Sequence, residues 1–292
     1  MIIRKQARDT LTPVEMDRGD VLEFTLRSGQ TRRVTLRETH AEVIRTTVAE
    51  LKTEEPKGRT DYQFTCRLDV DGQEHTLWRE VSTQASFYEP WTIAGMRIWF
   101  DAVDDIFELV AEAHGRCRPH KHARLAVQDA ELEICPERVH AWCPLPPGGL
   151  NIRDCYNGED CWMGAYWGAS AHGGLDINHP AGTPIFAPID LDDQWMFNHV
   201  HRGDNNNRWR GVRTWPDGSK WVLQVHHVIR LLVAEHEPVA AGTQVARGAG
   251  VAVGAHEHSH FVFGVEEDGQ TVLLDPWILF RQMYLDQHGR VP

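Results

Sequence analysis

The stretch Ala171-His-Gly-Gly-Leu-Asp-Ile-Asn-His-Pro-Ala-Gly-Thr-Pro-Ile-Phe-Ala-Pro188 places an imidazole and a carboxylate close together in the chain. His172 and Asp176 are four residues apart, and an even spacing puts both side chains on one face of an extended strand. Both residue types are good zinc ligands. The glycines between them let the backbone pass close to an ion, because glycine has no Cβ. The stretch therefore predicts half of a zinc site, followed by a turn and a strand end.

A second group of histidines lies further along the chain, in Gly254-Ala-His-Glu-His-Ser-His-Phe-Val-Phe-Gly264. His256, His258 and His260 alternate with other residues and are followed by an apolar run. A period of two of this kind is typical of a β-strand, and such a strand puts three imidazoles on one face.

A third source of histidine interrupts the apolar run Trp221-Val-Leu-Gln-Val-His-His-Val-Ile-Arg-Leu-Leu-Val233. Neighbouring residues on a strand point to opposite faces, so we expect only one of His226 and His227 to face a metal. A solvated strand or a hydrogen-bonded core histidine would explain each segment alone. Three such segments within one region of the chain favour a shared site instead.

These residues resemble the M23 (LytM or lysostaphin type) zinc metallopeptidases. The first motif of that family, His-x-Gly-x-Asp and then Gly-Thr-Pro-hydrophobic-x-Ala-Pro, is similar to His172–Asp176 and Gly182–Pro188. Its last motif, His-x-His before alternating apolar residues, is similar to His258–Phe263. Glu237–Gly248 resembles the Gly-x-x-Val-x-x-Gly turn of the family, and Leu274–Trp277 resembles its closing Asp-Pro segment.

The resemblance, which covers roughly residues 150 to 280, implies a zinc-dependent endopeptidase that cleaves bacterial cell-wall (peptidoglycan) peptides and is secreted or periplasmic. It implies one zinc ion per chain. The implied ligands are His172, Asp176 and His260. His227 and His258 become the non-ligand catalytic histidines, with His258 expected as the general base and His227 as the group that stabilises the oxyanion.

Two departures from the family pattern leave alternatives open. His256 lies on the same predicted face as His258 and His260, so strand geometry alone allows the pair 256/258 in place of 258/260. The apolar residues after His260 match the family and favour the second pair. The middle motif lacks the usual Tyr or Gly before its histidine and offers two adjacent candidates.

Composition limits the other possibilities. The chain has 292 residues, which suits two domains, and its hydrophobic content of 41% is enough for ordinary cores. Its formal net charge of -12 argues against nucleic acid, which attracts basic surfaces, and against tight electrostatic binding to an anionic cell wall. No apolar stretch is long enough to predict a membrane span, and the start of the chain lacks the apolar core of a signal peptide.

The alternating patterns predict a mainly all-β protein with two domains. Residues 1–142 read as a β-sandwich-like accessory domain, with a hairpin signal at Asp71-Gly72. Residues 102–113 fit a short helix or another strand. Cys143–Gly149 is the expected linker, and residues 150–292 form the expected antiparallel β catalytic domain.

The six cysteines leave the compartment open. Cys155 and Cys161 could close a loop as a disulfide, and Cys135 and Cys143 are similarly close in sequence. Three disulfides would fit an oxidising compartment, whereas reduced cysteines would fit the cytosol. No Cys-x-x-Cys spacing indicates a thiolate zinc site.

Residues 190–219 read as an insertion-like loop with basic and aromatic residues. We expect Arg208, Trp209 and Arg210 to bind substrate there. This local charge motivates a second hypothesis, a zinc-assisted lyase on an acidic polysaccharide, in which an arginine neutralises a uronate carboxylate. A third hypothesis is a non-catalytic binding or activator module, which the complete set of motif residues argues against.

Overall fold

The protein is described by a computed structural model that covers residues 1–47, 49, 60–81, 88–109, 119–150, 165–166, 170–171, 174–201, 204–253, 256–267 and 269–292. The fold is mainly β, which confirms the predicted fold class. The chain forms two compact units, one containing Met1–Pro136 and the other beginning at Glu137 and containing Gly174–Pro292.

The described residues of Met1–Pro136, in the first unit, form two sheets. Its strands are β1 (Ile2–Gln6), β2 (Thr12–Met16), β3 (Val21–Thr25), β4 (Thr31–Thr46), β5 (Thr60–Val70), β6 (Gln73–Val81), β7 (Trp91–Ile93), β8 (Met96–Val103) and β9 (Ala123–Asp129). One sheet has the order β1-β3-β4-β5-β6 and the other has the order β2-β9-β8-β7. Phe24 and Phe64 of the first sheet and Phe100 and Leu125 of the second are fully buried. Strands β3 and β5 alternate along most of their length, whereas every residue of β9 is buried.

Residues 102–113 were expected to form a short helix or a strand. In the structure β8 continues to Val103, and a 3-10 turn follows at Asp104–Glu108. The remainder of that expectation, from residue 110, lies outside the described residues.

The rest of the chain is also rich in strands. These are β10 (Ala165–Tyr166), β11 (Ser170–Ala171), β12 (Leu175–Asn178), β13 (Pro184–Phe186), β14 (Asp193–Phe197), β15 (Val200–His201), β16 (Asp204–Asn205), β17 (Arg208–Thr214), β18 (Lys220–His226), β19 (Val228–Leu231), β20 (Gln244–Gly248), β21 (Val251–Val253), β22 (His256–Glu267) and β23 (Gln270–Leu274). A helix, α1 (Trp277–His288), follows them. The predicted loop at residues 190–219 is wrong, because it contains β14 and β17, which pair with each other in the main sheet.

Strand β22 is the centre of the main sheet in the second unit. The sheet has the order β12-β22-β18-β17-β14, and β21 and β23 also pair with β22. Side chains alternate along β22, so Phe261, Phe263 and Val265 are buried in the core while His258 and His260 point to the other face. The core residues of this strand therefore fix which face carries the histidines.

The core under β22 is aromatic. The ring of Trp142 lies 5.1 Å from that of Phe261 and 5.9 Å from that of Phe280 in α1, centroid to centroid. The helix begins where Asp275 Oδ1 accepts a hydrogen bond from the backbone N–H of Trp277 at 2.8 Å. It ends at Gly289, whose left-handed backbone (φ 69°) closes the last turn.

The segment expected to be a linker packs within the second unit. Trp142 and Cys143 are fully buried, and the carbonyl oxygen of Pro146 accepts a hydrogen bond from the Tyr284 hydroxyl at 3.0 Å. The division between the units accordingly lies at Pro136 and Glu137, earlier than the expected residue 142.

Cys66 and Cys143 are buried free thiols and Cys135 is also buried, so Cys143 is not joined to Cys135. Burial raises the pKa of the Cys66 and Cys143 thiols. Cys117, Cys155 and Cys161 lie outside the described residues. Over the described part of the chain, none of the helices has the length and apolar character needed to cross a bilayer.

Candidate active site

Strand pairing brings Asp176 of β12 directly opposite His260 of β22. Nδ1 of His260 lies 2.7 Å from Oδ1 of Asp176, and the carboxylate is fully buried. His258 lies on the same face of β22, with its Nε2 3.6 Å from Oδ2 of Asp176. These three side chains form one cluster on the face of the sheet opposite the aromatic core.

The same face continues across two more strands as a row of directly opposed residues. His226 lies opposite His260, Arg208 lies opposite His226, and Phe197 lies opposite Arg208. The centroids of the His226 and His260 rings are 4.4 Å apart. From the carboxylate of Asp176, the row therefore runs through two imidazoles and a guanidinium to an exposed phenyl ring.

His227 reaches this cluster although it follows His226 immediately in the chain. Its φ of 61° lies in the left-handed region, which costs a non-glycine residue roughly 1–2 kcal/mol. The His227 ring lies 4.7 Å from the His258 ring, centroid to centroid. The expectation that only one of His226 and His227 faces the site is therefore wrong, because the alternation of β18 ends at His226.

Hydrogen bonds fix the ring of His227. Its Nδ1 donates to the carbonyl oxygen of Asn205 at 2.7 Å, and its own carbonyl oxygen accepts from the N–H of Ala249 at 2.6 Å. A carbonyl oxygen only accepts, so the proton sits on Nδ1 and the neutral ring keeps its lone pair on Nε2. Burial, with a smaller contribution from His258, lowers the pKa of His227 to about 4. Nε2 of His227 is therefore a proton acceptor at neutral pH.

His226 is held as a neutral ring as well. Burial, and then the neighbouring His260, lower the pKa of His226 well below its ordinary value. Nε2 of His226 lies 2.6 Å from the side-chain amide nitrogen of Gln224, which donates to it. This hydrogen bond occupies the nitrogen that His226 would otherwise offer to a metal.

Gly174 packs against His260 so closely that only glycine fits. A Cβ at this position would lie 2.4 Å from the carbonyl oxygen of Phe261 and 2.5 Å from Nε2 of His260. The glycine expected from the sequence to let the backbone approach an ion thus lies against the imidazole of a proposed ligand.

Imidazole and carboxylate groups are common zinc ligands, and His260 Nδ1 and Asp176 Oδ1 lie side by side. Among the described residues, no group of three His, Cys, Asp or Glu side chains is arranged to hold a metal. The predicted third ligand, His172, lies outside the described residues.

The other predicted site residues fall into different places. Trp209 is fully buried and donates its indole N–H to Gln194 at 3.3 Å, so the prediction that it binds substrate is wrong. Arg210 lies over the ring of Trp195, with its Cζ 5.8 Å from the centroid. The backbone of His256 pairs with Val253 of β21, whereas His260 is the histidine opposite Asp176.

Sequence reasoning missed His179, which lies just past the end of β12. Its side chain is buried with the ring 6.0 Å from that of Phe261, and its Nδ1 has no hydrogen-bond partner among the described residues. Burial, followed by the effect of His258, lowers its pKa to about 4. The only signal in the sequence was its position three residues after Asp176, on the opposite strand face.

Comparisons with known proteins give matches among solved structures alone, since no family model and no curated protein matches the sequence. The matching solved structures include M23, LytM and lysostaphin peptidases. The catalytic domain of lysostaphin, an antimicrobial peptidase from Staphylococcus simulans, has 19% identity over 37% of this chain and 77% of its own, with a TM-score of 0.29.

Two further matches differ in how much they cover. The longer lysostaphin structure has 18% identity over 42% of this chain and 47% of its own, with a TM-score of 0.33, so the chain spans about half of it. A zinc containing peptidase from Vibrio cholerae has 13% identity over 89% of this chain and 83% of its own, with a TM-score of 0.33. At such TM-scores, functional conclusions depend on the residues of the site.

Proposed function

We propose that the protein is a zinc-dependent endopeptidase that cleaves bacterial cell-wall peptides. The observation that carries the proposal is the placement of Asp176 opposite His260, with His258 and His227 beside them on one face of the sheet. The motif resemblance described above supplies the substrate class. His172, Asp176 and His260 would hold the ion.

Zinc, when bound, supplies a Lewis acid that polarises a carbonyl and makes water nucleophilic at neutral pH. The chain's own residues then have to accept and return a proton. Because its proton is held on Nδ1 by Asn205, His227 presents Nε2 as the acceptor, which suits it to take the proton from attacking water. We therefore assign the base to His227 and the oxyanion contact to His258, the reverse of the roles expected from the sequence.

The proposal is tested by zinc content and by cleavage of purified peptidoglycan, followed by mass analysis of the products. We expect His260→Ala and Asp176→Asn to lose both zinc and activity. His227→Gln should keep zinc and lose activity by roughly 10²–10⁴-fold, the usual contribution of a general base. His40→Gln, at an exposed histidine of the first unit, is the matched control and should change neither.

Two results would contradict the proposal. Full zinc retention by His260→Ala would remove His260 from the ligand set. Products that carry a new ultraviolet-absorbing double bond, formed from a uronate polysaccharide and not from peptidoglycan, would favour the lyase hypothesis.

A further inference from the structure

Arg208 carries a charge that the described protein does not neutralise. Its Nε is buried without a hydrogen-bond partner, as is that of Arg213, but Arg208 also has no carboxylate among the described residues within ion-pair distance. Burial lowers the pKa of its guanidinium. A partly buried cation without a counter-ion is unfavourable, so an anionic ligand would stabilise this arginine.

The contrast with Arg213, on the same strand, is direct. Arg213 places its guanidinium 2.8 Å from Glu137 Oε1 and 3.3 Å from Asp192 Oδ1. The two arginines are five positions apart, an odd spacing, so Arg213 lies on the opposite face of β17 from Arg208. Arg213, which faces away from the site, thus pairs with two carboxylates, whereas Arg208, beside the site, pairs with none among the described residues.

Arg208 is also placed at a defined distance from the chemistry. It lies two strands from His260 in the row of directly opposed residues, which is about 10 Å at the usual strand spacing. An arginine side chain covers much of that gap, and an extended peptide advances about 3.4 Å per residue. A group bound by Arg208 would therefore lie one or two residues along the substrate from the peptide bond that is cleaved.

Beyond Arg208, the row ends at an aromatic surface. Phe197 is 43% exposed, and its ring lies 5.8 Å from that of Trp195. The surface beside Arg208 can therefore cover the apolar part of a ligand whose charged end meets the guanidinium.

We propose that Arg208 is the anion-binding subsite of this active site and selects peptides that carry a free carboxylate one or two residues from the scissile bond. The guanidinium presents paired N–H donors that match a carboxylate, and such charge-assisted bonds are the strong ones. Because the protein has a net charge of -12, most of its surface repels anions, so a carboxylate would bind at Arg208 in preference to the rest of the surface. This inference rests on the proposed peptidase function for its substrate class.

The experiment uses two peptides that differ only in whether that carboxylate is free or amidated. With the wild-type protein we expect kcat/KM to be about 10- to 100-fold higher for the free carboxylate, the usual worth of hydrogen bonds to a charged group. In Arg208→Gln the ratio should fall to near one, with most of the change in KM. Arg208→Lys should keep part of the preference, because it retains the charge without the paired donors. Arg213→Gln is the control and should keep the whole preference.

A binding measurement separates failure of this inference from failure of the proposed function. N-acetylalanine and its amide are titrated calorimetrically into the wild-type protein and Arg208→Gln. Arg208-dependent binding of the carboxylate probe without cleavage of either peptide would uphold the subsite and reject the peptidase. Equal cleavage of both peptides by the wild type, or an unchanged ratio in Arg208→Gln, would overturn the subsite. Arg208-dependent binding of uronate oligosaccharides alone would overturn the peptide as its ligand.

Discussion

At the scale of single residues, Gly174 limits how the site can be built. The space that a Cβ would need is already filled by a backbone carbonyl and by the imidazole edge of His260. The backbone oxygen cannot rotate away without disturbing the pairing of β12 with β22, so His260 would have to give way. The position of a proposed ligand thus depends on the absence of one methyl group.

We predict that Gly174→Ala weakens zinc binding by at least tenfold and lowers the free energy of unfolding by about 1–3 kcal/mol, the usual cost of overpacking. Gly148→Ala is the matched control, because its φ is not positive and a Cβ there meets nothing within 4 Å. Zinc affinity by competition with a chelator and thermal unfolding measure the two effects. Equal behaviour of the two variants would contradict the prediction.

Some features of individual site residues could be predicted from the sequence and others could not. Asp176, His258 and His260 were predictable, because strand periodicity and motif spacing both place them on one face. His227 was predicted by the family resemblance, but its left-handed backbone and its hydrogen bonds were not, because the partners Asn205 and Ala249 lie far from it in the sequence. Trp209 was misread for a related reason: an aromatic residue among arginines looks exposed until its strand is paired on both edges.

At the scale of elements, the connection between β16 and β17 positions the proposed base. The side chain of Asn205 donates to the carbonyl oxygen of Val228 at 3.2 Å and accepts from the N–H of Asn207 at 2.9 Å. The same residue offers its backbone carbonyl to His227. Asn205 therefore contacts Val228 and Asn207 through its side chain, and its backbone carbonyl holds the Nδ1 proton of His227.

We predict that Asn205→Ala lowers kcat by about fivefold to thirtyfold, in line with the loss of one or two net hydrogen bonds of about 1 kcal/mol each. KM and zinc content should change little, because neither a ligand nor the substrate surface is touched. Asn198→Ala, an exposed asparagine on the other side of the same hairpin, is the control. Loss of zinc in Asn205→Ala would indicate a structural role in place of positioning.

Element prediction succeeded where polar and apolar residues alternate and failed where turn residues are dense. The alternating histidines of β22 predicted that strand, whereas β18 was recognised only as an apolar run interrupted by histidines. Residues 190–219 contain many Asp, Asn and Gly residues, which indicate a loop. The strands within it are held by pairing with β18, which is information from elsewhere in the chain.

At the scale of the whole molecule, Pro and Gly density at residues 143–149 indicates a linker, whereas the division between the two units lies at Pro136 and Glu137. Trp142 packs in the second unit, where its ring lies against those of Phe261 and Phe280.

We predict that the fragment from Glu137 to Pro292 folds cooperatively and binds zinc, whereas the fragment from Leu150 to Pro292 does not. Removing the buried Trp142 alone should cost about 3–5 kcal/mol, the usual loss for a large aromatic core residue. Circular dichroism melting curves and zinc content of both fragments provide the measurement. Trp142→Ala in the full chain is the control for the loss of this ring. Equal stability of the two fragments would place the boundary at residue 150.

Strand β22 carries Phe261, Phe263 and Val265 on its core face and His258 and His260 on the other face. A one-residue insertion or deletion before His258 would turn Phe261 and Phe263 away from the core in the same step that turns the two histidines into it. Quality control in the cell recognises exposed apolar surface, not lost catalysis. On this strand the two coincide, so a chain with an out-of-register site would be degraded as a misfolded protein before it accumulated as an inactive enzyme.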